Sequence, residues 1–258
     1  MALGGVFMSD TDGNIGTNST TSTEKVTGLL FDISKQAKFF EEGAGLAVKD
    51  KLQGNVIEIN SMDDLKELGI AAPSDDPKND LLFGVPYYHI NHFFSIQGDN
   101  GRLFIMFANC GADWDAIDQM QHAAHGMINQ LGVWTEQSLW KQTDPEAGTY
   151  SIDLVADLQS KASSLADENA PLSILLNANS AVIATSDEPV KKVELAKIPT
   201  CITNARFVTV LLGQGLDKDV SAMQLANPNL TPVGNIGAAL GCVCLLYTSD
   251  AADDTPCV

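Results

Sequence analysis

Residues 102–131 read RLFIMFANCGADWDAIDQMQHAAHGMINQL, and the change of hydrophobic period inside this stretch sets the fold class. Arg102 to Ala108 reads as a strand, apolar without a break from Leu103 onward and entered from the turn signal Asp99-Asn-Gly101. After it the period changes. Trp114, Ile117, Met120, Ala124, Met127, Ile128 and Leu131 recur at three- and four-residue spacing. At ~100° per residue these side chains fall on one stripe, which predicts an amphipathic helix from Asp113 to Leu131.

The same alternation extends in both directions. Val26 to Ile33 and Asn55 to Ile59 read as short buried strands. Ser61 is followed by Met-Asp-Asp-Leu-Lys-Glu-Leu, an N-cap serine with acids in the first turn, which predicts a short helix. Pro73 to Asp80 reads as a charged loop and Leu81 to Gln97 as a helix that starts or kinks near Pro86. Ile152, Val155, Leu158, Ala162 and Leu165 predict a further amphipathic helix. Pro171 to Leu176 and Arg206 to Leu212 read as buried strands, Asp217 to Ala226 as a third amphipathic helix, and Pro232 opens a Gly- and Ala-rich helical segment. Strands alternating with helices predict an α/β domain, with a largely parallel or mixed sheet flanked by helices over residues 25–243. Residues 1–24 are polar and aperiodic and read either as a frayed terminus or as an extended N-terminal arm. Within that arm Gly5 to Met8 is strand-like, suited to strand addition on a neighbour.

Composition excludes several classes. The chain has 258 residues, 15 Lys and Arg against 33 Asp and Glu, and a formal charge of −18. A nucleic-acid binder or an anionic-membrane binder needs a basic surface, so neither partner is expected. The longest apolar candidate, Ile236 to Tyr247, is too short to span a bilayer. With Lys25 as the first Lys there is no positive head of a signal peptide, and the expected location is the bacterial cytoplasm or a virus particle. The five cysteines, Cys110, Cys201, Cys242, Cys244 and Cys257, show neither disulfide-framework nor zinc spacing.

No catalytic set emerges. His89/His92 and His122/His125 are i,i+3 pairs, but His122 lies opposite the apolar stripe and no carboxylate completes a zinc motif. All four are expected to be ordinary surface or edge histidines. Gly213-Gln-Gly215 follows a strand and precedes a helix, a phosphate-binding order, yet Asp217 and Asp219 would repel a phosphate. Cys110 has no identifiable His partner and reads as a buried thiol. The acids Asp63, Asp64, Glu67, Asp75, Asp76 and Asp80 are interleaved with lysines and read as a solvated face. No catalytic residue, cofactor or metal is expected.

Three stretches carry a family resemblance. They are Met1-Ala-Leu-Gly-Gly-Val-Phe-Met-Ser-Asp-Thr-Asp-Gly-Asn-Ile-Gly16, Thr27-Gly-Leu-Leu-Phe-Asp32, and Ala226-Asn-Pro-Asn-Leu-Thr-Pro-Val-Gly-Asn-Ile-Gly-Ala-Ala-Leu-Gly241. Together they resemble the sheath proteins of contractile phage tails and related injection machines. The resemblance implies a non-enzymatic α/β subunit that stacks as hexameric rings around an inner tube protein. Baseplate and sheath-terminator proteins are further implied partners, and the virion tail an implied location. It also implies subunit contacts through the arm, at Gly4, Gly5, Val6, Phe7 and Met8, and through the strand that follows, at Val26, Leu29 and Phe31. Cys244 to Val258, CLLYTSDAADDTPCV, looks like the translation of a sequencing adapter. It is expected to be non-native, with the natural gene continuing past about Val243 and the sheath-like domain C-terminally truncated. The competing expectations are a soluble α/β enzyme or ligand-binding domain, and a baseplate or adaptor component of the same particle.

Overall fold

The structure is a computed structural model, and it describes residues 26–35, 50–72, 77–98, 101–111, 113–144, 149–183, 189–190, 206–211 and 234–242. The arm, the predicted helix at Asp217 to Ala226, Gly213 to Gly215 and the segment after Cys242 lie outside the described residues.

The strands are β1 (Val26–Asp32), β2 (Val56–Ile59), β3 (Leu103–Ala108), β4 (Ile128–Asp144), β5 (Thr149–Ser151), β6 (Ser173–Ile183), β7 (Pro189–Val190) and β8 (Val208–Val210). The helices are α1 (Met62–Glu67), α2 (Pro77–Gln97), α3 (Asp115–Ala123), α4 (Asp153–Asp167) and α5 (residues 236–242). The strands form one eight-stranded mixed sheet in the order β2-β3-β1-β4-β6-β7, with β5 on β4 and β8 on β6. Its parallel members run β3-β1-β4-β6-β8; β2, β5 and β7 are antiparallel additions.

All seven residues of β1 are buried, because both faces of the sheet are covered. On one face α3 and α4 pack on Val26, Leu30, Leu131, Val133 and Ile174. On the other, α1, α2 and α5 pack on Leu29, Phe31, Ile33, Ile105 and Trp134. Strands covered on both sides read as continuous apolar runs, which is why β1 and β3 were legible as such. The α/β class with a mixed, helix-flanked sheet is thus the observed architecture.

Local chemistry explains where the helices stop. Ser61 caps α1 in a full capping box with Asp64. At the C-terminus of α1, Ile70 N–H donates to Leu65 O and Gly69 N–H to Lys66 O. The same pair of bonds recurs after α3, from Gly126 to Gln121 and His125 to His122, and after α4, from Ala170 to Leu165 and Asn169 to Ala166. Gly69, His125 and Asn169 hold the positive φ this ending requires.

The α3 ending corrects the sequence reading. The helix ends at Ala123, and Ile128 to Leu131 belong to β4. Met127, Ile128 and Leu131 continue the helical spacing by coincidence; the left-handed turn at His125 and Gly126 breaks it. Two further corrections concern α2 and β4. The helix α2 begins at Pro77, not after a charged loop to Asp80, since proline at the first helical position forfeits an N–H that has no partner there anyway. Strand β4 runs on to Asp144, although Thr135 to Ser138 interrupts its apolar pattern and hides the strand in the sequence.

The glycines of the Gly-Asn-Ile-Gly-Ala-Ala-Leu-Gly241 motif have a packing reason. Ile236 and Leu240 of α5 fill the space that a side chain at Gly132 of β4 would occupy. Gly237 lies against the main chain of His89 and Gly241 against Ile96, so α5 rests directly on α2. Gly237 N–H donates to His89 Nδ1 at 3.4 Å, and Gln97 Nε2 donates to the Gly241 carbonyl at 2.5 Å. A methyl group at Gly237 would overlap the His89 carbonyl. Gly237→Ala is expected to cost roughly 2 kcal/mol in denaturant unfolding. At Gly54, which has open space around it, alanine should cost only about 1 kcal/mol for its left-handed backbone.

Candidate functional site

In open α/β sheets ligands gather at the carboxyl ends of the strands, where the strand order reverses. Here that point is β1, which lies between β3 and β4. Its last residue, Asp32, is 1% exposed, and it is the single charged residue of the strand.

The surrounding strand ends saturate this carboxylate. Oδ1 accepts from Ser34 N–H at 3.0 Å and from Cys110 N–H, just past the end of β3, at 3.3 Å. Oδ2 accepts from the Thr135 hydroxyl at 2.6 Å and from Gln137 Nε2 at 2.7 Å, both on β4. Thr135 Oγ1 in turn accepts from Gln137 N–H at 3.0 Å. Each carboxylate oxygen therefore has two donors, which compensates the cost of removing the charge from water. The network ties three parallel strands at one end. It offers no general base, because the lone pairs that would take a substrate proton are occupied.

Cys110 sits beside it, buried, its thiol facing the Ala108 carbonyl at 3.8 Å. Burial, and then the negative charge of Asp32, push this thiol far above its ordinary range. The thiolate is the nucleophilic form, so Cys110 is an inert buried thiol, as its sequence context suggested. Asp32, Thr135 and Gln137 were not singled out from sequence. The available signal was an acid closing the apolar run Val26 to Ile33.

The other candidate residues are placed as follows. Val26, Leu29 and Phe31 are buried, at 2%, 0% and 1% exposure. Both backbone edges of β1 are taken by β3 and β4. These three are core residues of this chain and offer no surface to a neighbour, which corrects their assignment as contact residues. Gly4, Gly5, Val6, Phe7 and Met8 lie outside the described residues. His122 and His125 are exposed, as expected. His89 is a correction: it is fully buried, held between the sheet and α5, with its ring 6.3 Å from that of Phe31. His92 is half-buried against Tyr88, ring centroids 4.3 Å apart. His89 and His92 lie on α2, and His122 and His125 lie at and just past the end of α3, on the opposite face of the sheet, so the two pairs are not brought together. Among the described residues no group of three or more His, Cys, Asp or Glu is placed to hold a metal ion. No helix among them is long and apolar enough to cross a membrane.

The described acids near α1 are solvated, with Asp63 paired to Lys66 at 2.7 Å on an open surface. That hydrogen bond and charge hold Asp63 below the usual carboxylate range. Asp75 and Asp76 lie outside the described residues. On α4, Asp157 behaves oppositely: partial burial, then the charges of Asp153 and Asp113, hold its carboxyl above the ordinary value of 3.8.

No protein-family model matches the chain, and no curated protein was found to match it. What the fold and this site define is a class: a helix-flanked mixed α/β domain in which, among the described residues, the strand ends at the order reversal are joined through one buried carboxylate.

Two outcomes test these assignments. Asp32→Asn places an amide N–H against donors and should cost about 3 kcal/mol in urea unfolding, against about 1 kcal/mol for Thr135→Val. Asp157 is an acid whose pKa rises on folding, so its ionised form weakens the fold above that raised value, and the penalty vanishes below its unfolded value of 3.8. Asp157→Asn should therefore raise the thermal midpoint slightly at neutral pH, with the gain disappearing on acidification below that value.

Proposed function

We propose that this chain is a structural subunit of a contractile tail sheath, of a phage or a phage-like injection system, and that it works by polymerising around an inner tube. The observation that carries the reading is the closed strand end at Asp32, where an α/β enzyme would hold its substrate and this chain spends its polar groups on itself. The family resemblance of residues 1–16, 27–32 and 226–241 supplies the particular assembly. In this reading the partners are further copies in stacked hexameric rings, the inner tube protein, and baseplate and sheath-terminator proteins. No catalytic step or cofactor is required. The working location is the virion tail, reached from the bacterial cytoplasm.

The sheet suits strand exchange at its margins rather than at its centre. Among the described residues β2 at one margin and β8 at the other each pair with only one strand. An open edge presents a row of main-chain donors and acceptors to an incoming strand. In this proposal the incoming strand is the arm segment Gly4 to Met8 of a neighbouring copy.

Sedimentation velocity and negative-stain electron microscopy of the full chain, co-expressed with the tube protein of the same particle, test the proposal. Rings or tubes are expected, lost on deletion of residues 1–24 while the thermal unfolding of the remaining domain is retained. Monomers alone at every concentration and salt level would overturn it.

A further inference from the structure

We draw no further inference here: the strongest candidate, the fully buried imidazole of His89 at the contact of α2 with α5, belongs through its hydrogen bond from Gly237 N–H to the helix packing already described, and nothing among the described residues points from it to a guest molecule or to a second state of the fold.

Discussion

The complete burial of β1 is the constraint from which the rest of the structure follows. A strand with every residue out of water must pair each backbone N–H and C=O within the protein. Parallel β3 and β4 do this on its two edges. Its side chains alternate between the two faces, so each face needs its own helical layer; α3 and α4 supply one, and α1, α2 and α5 the other. Asp32 is the one place where this burial traps a charge, and four donors, from Ser34, Cys110, Thr135 and Gln137, hold it there. Among the described residues, the strand that organises the hydrophobic layers thereby also ties together the carboxyl ends of three parallel strands.

This closure bears on function. In an α/β enzyme the strand ends at the order reversal keep polar groups unsatisfied for the substrate, and that incompleteness costs stability. Here the carboxylate is saturated and the adjacent thiol is held protonated. The polar opportunities lie elsewhere, at the edges of the sheet and on the acidic face formed by α3 and α4. Those are places for partners, and the proposed sheath role draws on the sheet edges.

Much of the fold was readable because local pattern and tertiary environment agreed. The runs Val26 to Ile33 and Arg102 to Ala108 are doubly covered strands, and the stripe from Ile152 to Leu165 is a helix with one buried side. The α1 start was legible in Ser61 and its acids. The reading failed where spacing alone was ambiguous. Met127, Ile128 and Leu131 extend the stripe of α3 on paper, but a Schellman ending with His125 in the left-handed region redirects the chain into β4. Gly126, two places past the helix cap, was the available warning. The histidine reading failed for a different reason. Helix α2 is apolar on most sides because it packs both on the sheet and against α5, and that contact encloses His89.

By itself, the sequence determined the α/β class, the identity of the central strands, the capping of α1 and the strongly acidic surface, since these depend on periodicity, local hydrogen bonding and composition. Only the tertiary structure decided that Asp32, Thr135 and Gln137 form one network, that Gly237 and Gly241 exist to let two helices touch, and that Val26, Leu29 and Phe31 are interior. Each of these is a meeting of residues far apart along the chain. Such meetings are fixed by which faces must be hidden from water, and a linear pattern records that a face is apolar without recording what will cover it.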